Sequence, residues 1–330
     1  MRFLLLFSIL IILLIASSSC THWRLEKKYP PIGNTLLISD QKLHYLDIGP
    51  RDSLYPPLVI LHGASANLMD MKLAIGDELS KTHRVILIDR PGRGYSTRPA
   101  DGHNLDVQSS MIHQGLELLG IEKPIIIGQS LGGAVALNYT LNYQSKISGT
   151  VLIATVSHEW PGGVAWYNTA SDIPILGFIL RRTLFPIYGQ AVAPKGIAST
   201  FWPQDPPQDY YEKAGIALLF RPKDFKSNAA DIAHLKTNIQ AMQERYGEIT
   251  VPVKIFVGTH DTNVSPTIHS YRLSKQIKGS EFILLENHGH GLQHTGAPEI
   301  IASIKALAVQ ASLPTPEPEI APEITSESAQ

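Results

Sequence analysis

A serine that could act as a nucleophile stands in the string Gly-Gln-Ser-Leu-Gly-Gly, directly after a β-branched run and before a helical pattern. On such a strand–turn–helix bend, bulky neighbours would clash, which explains Gly128 and Gly132 on either side of Ser130. Gly133 lets the following helix pack closely. The helix N-terminus directs free N–H groups and positive dipole charge at the serine oxygen. We therefore expect Ser130 to attack a carbonyl, with the Leu131 N–H holding the oxyanion that forms.

A serine hydroxyl is a weak nucleophile that needs an adjacent base, and the base needs an orienting acid. Asp261 follows the apolar run Val253–Val257, and His290 follows the run Phe282–Leu285. The carboxyl ends of parallel strands meet at one edge of a sheet, where functional side chains gather. The sequence therefore predicts a catalytic triad of Ser130, Asp261 and a histidine after the last run, His290 or its rival His288, in which the imidazole takes the serine proton.

The elements that must position these side chains form an alternating pattern. Apolar runs of four to eight residues alternate with amphipathic helical stretches, which indicates an α/β architecture with a parallel sheet covered on both faces. From about His158 to Ile232 this alternation stops, and prolines and aromatic residues accumulate. An insertion of this length within a sheet domain is usually functional. We expect short helices broken by proline, forming a cap over the active site.

The predicted strand Leu58–Leu61 ends in the turn His62-Gly63-Ala64, and a second glycine-rich turn covers Asp89 to Ser96. Together with the serine motif, these turns resemble the α/β-hydrolase superfamily, in particular its single-chain esterase-like branch with a helical cap. The resemblance implies an α/β-hydrolase fold, a mostly parallel eight-stranded sheet flanked by helices, with the cap inserted after strand 6. It also implies that Ala64 supplies the second oxyanion N–H. His62 would be structural, and Gly63 would let the backbone approach the substrate.

Other residues compete for the predicted roles. The resemblance implies that His290 is the base, because members of the family carry Gly-His here and Gly289-His290 fits that pair, whereas His288 stands two residues earlier. Asp224 and Asp231 are weaker candidates for the acid because they lie in or beside the cap. The histidines His288, His290 and His294 could suggest a metal site. Zinc sites need three protein ligands in fixed geometry, and the sequence offers no second ligand cluster. We expect neither a metal nor a cofactor.

The N-terminus carries a positive residue, an apolar run from Phe3 to Ala16, small residues and then Cys20. This order is typical of a signal peptide, and the run is shorter than a membrane-spanning helix requires. It resembles a bacterial lipoprotein signal, in which the cysteine is lipidated, although Ser17 stands where such signals usually carry leucine. A plainly cleaved signal and a retained anchor helix are the alternatives. Each places the chain outside the cytoplasm, in the bacterial cell envelope.

Composition narrows the class of protein. The 330 residues are 44% hydrophobic and 17% charged, with a net charge of −1, which argues against a nucleic-acid partner. The single cysteine excludes intramolecular disulfides and thiolate-rich metal sites. A C-terminal segment rich in proline and glutamate predicts disorder. The predicted organisation is a signal peptide (1–20), a linker (21–34), a first core part (35–157), the cap (158–232), a second core part (233–310) and a disordered tail (311–330).

The predicted reaction is acyl transfer to water through an acyl-enzyme. The aromatic and aliphatic cap predicts an apolar pocket, and with an envelope location this favours a small-molecule or lipid-derived carboxylic ester. Relatives that use an aspartate nucleophile are set aside because Ser130 holds that position. A C–C bond hydrolase or a cofactor-free haloperoxidase-like enzyme remains an alternative. So does a non-catalytic binding lipoprotein of the same fold, although such proteins usually lose a triad residue.

Overall fold

The computed structural model describes residues 14–15, 18–19 and 21–313 of the chain. Residues 21–28 form helix α1. The strands are β1 (Asn34–Ile38), β2 (Gln41–Ile48), β3 (Leu58–Leu61), β4 (Val85–Ile88), β5 (Ile125–Gln129), β6 (Gly149–Ile153), β7 (Val253–Gly258) and β8 (Glu281–Leu285). They form one sheet in the order β1-β2-β4-β3-β5-β6-β7-β8. Only the pairings β1–β2 and β2–β4 are antiparallel, so the prediction of a mostly parallel eight-stranded sheet is confirmed.

Helices cover both faces of this sheet. They are α2 (Leu68–Met71), α3 (Asp77–Leu79), α4 (Leu105–Leu118), α5 (Leu131–Tyr143), α6 (Trp166–Ala170), α7 (Pro174–Arg182), α8 (Leu184–Phe201), α9 (Tyr210–Lys213), α10 (Pro222–Met242), α11 (Ser270–Gln276), α12 (Leu292–Thr295) and α13 (Ala297–Ser312). A π-helical turn covers Lys72–Gly76, and 3₁₀ turns cover Gln144–Lys146, Ile216–Phe220 and Gln243–Glu248. Within the described residues, no helix has both the length and the apolar character needed to cross a membrane.

The central strands are apolar throughout because both of their faces are buried. Side chains alternate between the faces, as strand geometry requires. Val59 and Leu61 of β3 pack into the core on the side of α4 and α5. Leu58 and Ile60 of the same strand pack on the opposite side, with residues of α2 and α13. This two-sided core holds the carboxyl ends of the strands rigidly, and those ends carry the predicted site residues.

The cap consists of α6 to α10, between β6 and β7, as the prediction of an insertion after strand 6 requires. Helices α6, α7 and α9 are short, as expected, but α8 and α10 are longer than the prolines suggested. Helix α8 continues for 18 residues with Pro194 in its interior, and Pro174 and Pro222 occupy first turns, where a missing N–H costs nothing. The predicted end of the cap at residue 232 lies within α10, because that helix continues from the cap onto the core.

Helix α10 is fastened to the core by buried polar contacts. Asp231 on α10 accepts from Arg90 Nη1 at 3.1 Å and from Arg98 Nη1 at 2.9 Å. Asn228, one turn earlier, accepts from the Ser65 N–H at 2.6 Å. A buried charge is tolerated when it is paired in this way. The two ion pairs hold the Asp231 carboxylate at the contact between the cap and the core.

The N-terminal segment differs from the predicted linker. Residues 21–28 are helical, and Leu25 and Tyr29 pack against Leu218 of the cap. Glu26 also pairs with Arg221 at 3.1 Å. Residues four apart lie on one helix face, so two apolar side chains in a polar stretch suffice to dock it. The polar composition concealed this pair.

Two further predictions fall at the limits of the described residues. Helix α13 ends at Ser312, so the first residues of the predicted tail (311–330) are helical. Residues 314–330 lie outside the described residues, as do Cys20 and most of the predicted signal peptide.

Candidate active site

The structure brings the three predicted triad residues into one hydrogen-bonded chain. His290 Nε2 lies 3.0 Å from Ser130 Oγ, and His290 Nδ1 lies 2.8 Å from Asp261 Oδ2. The side chains belong to the loops after β5, β7 and β8, all at the carboxyl edge of the sheet. Relative exposure is 7% for Ser130, 4% for Asp261 and 8% for His290, so each is shielded from water. The spacing allows the imidazole to take the serine proton while the carboxylate stabilises the resulting cation.

The bend that carries the serine is strained. Ser130 has φ +54° and ψ −119°, a conformation that side chains rarely adopt. A Cβ at Gly128 would lie 2.4 Å from the Gly132 carbonyl oxygen, and one at Gly132 would lie 2.4 Å from the His62 carbonyl oxygen. A Cβ at Gly133 would lie 2.1 Å from a threonine hydroxyl beyond β6. Each glycine is therefore required by backbone or side-chain contact.

The loop after β7 orients the acid. Asp261 Oδ1 accepts from the N–H groups of Asn263 at 2.9 Å and Val264 at 2.8 Å. These bonds occupy one carboxylate oxygen and leave Oδ2 facing His290. The imidazole can then donate from Nδ1 to the acid while Nε2 accepts from the serine. This is the tautomer that general-base catalysis needs.

The predicted oxyanion donors flank the serine. Leu131 is the first residue of α5, where a helix N–H has no acceptor within the helix. Ala64 follows β3 and lines the same cavity as Ser130. A Cβ at Gly63 would lie 2.1 Å from Gln129 Oε1, so a side chain there would collide with the residue before the nucleophile. The assignment of the two N–H groups to an oxyanion stays a prediction.

His62 is completely buried and bridges two backbone segments. Its Nδ1 lies 2.8 Å from the Gly63 carbonyl oxygen, and its Nε2 accepts from the Arg90 N–H at 3.1 Å. Burial, with the Arg90 cation beside it, lowers the pKa of His62 to about 3. The neutral ring joins the turn after β3 to the turn after β4. Because both ring nitrogens are occupied by these backbone contacts, His62 is not placed to exchange protons with a substrate.

The three clustered histidines have separate surroundings. His288 contacts backbone carbonyl oxygens through both ring nitrogens, at 2.8 Å to Glu286 and 3.2 Å to Thr295. His294 contacts Asp70 instead. In the part of the chain that the structure describes, no group of three or more His, Cys, Asp or Glu side chains is arranged to hold a metal ion.

Sequence reasoning missed a polar cluster at the same cavity. The Asp70 Oδ1 atom lies 2.8 Å from His294 Nε2 and 2.8 Å from the Tyr210 hydroxyl, and Gln293 Nε2 donates to Oδ2 at 3.3 Å. Burial acts to raise the pKa of Asp70, but the hydrogen bonds from His294 and Tyr210 prevail and lower it. Burial, together with Asp70, raises the pKa of Tyr210, which keeps its hydroxyl a donor. A carboxylate within the apolar string Leu-Met-Asp-Met was the available signal.

A cavity of about 610 Å³ lies above the triad, beneath the cap. Ser130 and His290 reach it from the sheet edge, so a ligand there would meet the nucleophile. The cap contributes aromatic and aliphatic walls, formed by Leu184, Phe185, Tyr188, Val192, Ile197 and Phe220.

Comparison with known proteins agrees with this architecture. The sequence model described as the alpha/beta hydrolase fold matches residues 56–172, which include both glycine-rich turns and the serine bend. With this match and the order of its eight strands, the chain has the α/β-hydrolase fold. Among curated proteins, the chain is similar to human monoacylglycerol lipase ABHD6, with 25% identity over 240 residues, covering 72% of this chain and 70% of the relative.

Solved structures share the fold of this chain. An esterase (EaEST) from Exiguobacterium antarcticum matches with a TM-score of 0.65 and 22% identity, covering 84% of this chain and 100% of that one. An alpha/beta hydrolase fold protein from Burkholderia ambifaria matches with a TM-score of 0.69 and 21% identity, covering 82% and 96%. The expectation of an enzyme of the hydrolase class is confirmed.

Proposed function

We propose that this α/β-hydrolase is a serine esterase or lipase that cleaves a carboxylic ester with an apolar acyl or alkyl group. One observation carries the proposal: the hydrogen-bonded chain Asp261–His290–Ser130 opens into a largely apolar cavity. An activated hydroxyl at the base of an apolar pocket suits attack on the carbonyl of a lipid-like ester.

In the proposed mechanism, Ser130 Oγ attacks the ester carbonyl carbon and its proton passes to His290 Nε2. The N–H groups of Ala64 and Leu131 bind the oxyanion, and Asp261 stabilises the imidazolium. His290 then protonates the leaving alkoxide oxygen as the C–O bond breaks, which leaves an acyl-serine. Water, deprotonated by His290, attacks the acyl carbon, and the carboxylic acid departs as Ser130 recovers its proton.

The same groups could serve C–C bond hydrolysis or haloperoxidase-like chemistry on this fold. The ester reading is favoured by the apolar cap walls and by similarity to proteins named lipase and esterase. A non-catalytic binding role is disfavoured because the chain of three groups is intact.

A panel of p-nitrophenyl esters from acetate to palmitate tests the proposal. We expect kcat/KM to rise about tenfold or more between acetate and octanoate, because each buried CH₂ contributes roughly 0.8 kcal/mol. A fluorophosphonate probe should label the wild-type protein, and heat-denatured protein provides the control. Absence of turnover on every chain length, together with no labelling, would count against any serine esterase.

We also propose that the enzyme works at a membrane of the bacterial cell envelope, held by a lipid on Cys20. The N-terminal pattern supports this, and so does the outer surface of α7 and α8. Ile175 and Ile187 are 78% and 64% exposed there, among other apolar side chains. Adjacent exposed apolar residues mark a surface that meets another apolar phase. Helix α1, which follows the anchor, packs on the cap and would hold that surface near the membrane.

Metabolic labelling with a palmitate analogue tests the anchor. We expect label on the wild-type protein in the membrane fraction and none on Cys20→Ser, because the thiol is the acylation site. Ser17→Ala, which leaves the thiol in place, is the control and should label. Labelling of the Cys20→Ser protein, or an unlabelled wild type, would contradict the lipid anchor.

A further inference from the structure

The polar cluster around Asp70 lies beside the catalytic groups. Asp70 belongs to α2, in the connection after β3 that also contains Ala64. Gln293 belongs to α12, in the connection after β8 that carries His290 three residues earlier. Asp70 and Gln293 line the cavity together with Ser130 and His290. Through Gln293, which follows His290 by three residues, the cluster forms a polar part of the cavity wall near the base, whereas most of the cap residues that line the cavity are apolar.

Two oxygen atoms in this cluster can each accept a further hydrogen bond. Within the described residues, Gln293 Oε1 has no hydrogen-bond partner, although the side chain is only 4% exposed. Asp70 Oδ2 receives only the 3.3 Å bond from Gln293 Nε2 among those residues, and a carboxylate oxygen can accept two. A buried unpaired acceptor costs about 1–3 kcal/mol and calls for an explanation. A ligand with O–H donors would provide one.

The chemistry of acyl transfer assigns this end of the cavity to the alcohol part of an ester. His290 must hand its proton to the leaving oxygen, so the leaving group lies on the imidazole side of the nucleophile. Gln293 stands three residues after His290, in α12, and both residues line the cavity. The acyl chain, which needs no hydrogen bonds, is left with the apolar walls of the cap.

We propose that Asp70 and Gln293 bind free hydroxyl groups on the alcohol part of the substrate, which is therefore a fatty monoester of a short polyol such as glycerol. This inference rests on the proposed esterase function. Tyr210 and His294 are positioning residues, because both hydrogen-bond Asp70 Oδ1 and fix the direction of Oδ2. An ester whose alcohol lacks a hydroxyl would leave Gln293 Oε1 unpaired and Asp70 Oδ2 with only its bond from Gln293, so the site would discriminate against such an ester.

The test compares 1-monolauroylglycerol with methyl laurate, which share an acyl chain and differ in hydroxyl groups. In mixed micelles of one composition, we expect wild-type kcat/KM to favour the glycerol ester about tenfold, mainly through KM. Gln293→Leu and Asp70→Asn should bring that ratio to about one. Thr200→Val, which removes a hydroxyl from the cap side of the same cavity, is the matched control and should keep the ratio.

The outcomes separate this inference from the esterase proposal. If the wild type hydrolyses neither ester, the proposed function fails. If it hydrolyses both with equal kcat/KM, the esterase proposal stands and the hydroxyl site is overturned, whatever the variants do. A folded Gln293→Leu protein that retains the tenfold ratio would also overturn it. A merely structural role would lower both kcat/KM values and leave their ratio unchanged.

Discussion

Ser130→Ala is expected to lower kcat for ester hydrolysis by at least about 10⁴-fold while the protein remains folded. The change removes the oxygen that lies 3.0 Å from His290 Nε2 and leaves the strained backbone with a small side chain. Neither partner of the remaining His290–Asp261 bond is disturbed. Steady-state kinetics on p-nitrophenyl octanoate measures the loss, and circular dichroism with thermal denaturation checks the fold.

Ser199→Ala is a matched control for this variant, because Ser199 is exposed on α8. It should keep wild-type turnover and react with a fluorophosphonate probe, whereas Ser130→Ala should not react. Near-wild-type turnover by the Ser130→Ala protein would exclude the proposed nucleophile and, with it, the acyl-enzyme mechanism.

Asp261→Asn is expected to lower kcat by about 10⁴-fold with little change in stability. The amide oxygen can still accept from the Asn263 and Val264 N–H groups, so the loop keeps its shape. The amide nitrogen would then face His290 Nδ1 and donate to it. That bond places the imidazole proton on Nε2. The Nε2 atom can then no longer accept the proton of Ser130.

The rival imidazole supplies the control for this prediction. His288→Ala should change kcat by less than about twofold, because both ring nitrogens of His288 contact backbone carbonyl oxygens outside the hydrogen-bonded chain. Single-turnover measurements on both variants distinguish loss of chemistry from slow product release. An active Asp261→Asn protein would exclude Asp261 as the acid, and an inactive but folded His288→Ala protein would favour His288 over His290 as the base.

Local sequence patterns were sufficient for the sheet and for the three triad positions. A β-branched run followed by glycines at 128, 132 and 133 favours the strand–turn–helix bend. A Cβ at any of these three glycines would lie within 2.4 Å of another atom. Asp261 was found because it follows an apolar run at a strand end, and His290 because it also forms the Gly-His pair that the resembled family carries there. In all of these cases a short segment determines where the side chain lies.

Features that depend on distant partners were not predictable in this way. The Asp70 cluster joins α2 to α12 and to α9, and neither the local sequence of Asp70 nor that of Gln293 indicates the other. Helix α1 was hidden because its docking depends on Leu25 and Tyr29 meeting the cap. The continuation of α10 past residue 232 depends on Leu235, Ile239 and Met242 packing into the core of the sheet.

The buried contacts that hold α10 on the core restrict where a long substrate can enter the cavity. If the whole cap opened as one rigid body, Asp231 would lose both of its guanidinium partners at every turnover. Asn228 would also lose its hydrogen bond from the Ser65 N–H. Stripping a buried carboxylate of its partners costs several kcal/mol. We therefore expect the entrance on the side of α7 and α8, which expose apolar side chains and, within the described residues, form no ion pair with α10. The apolar chain of the proposed ester substrate would then enter along α7 and α8, while α10 keeps its position on the core.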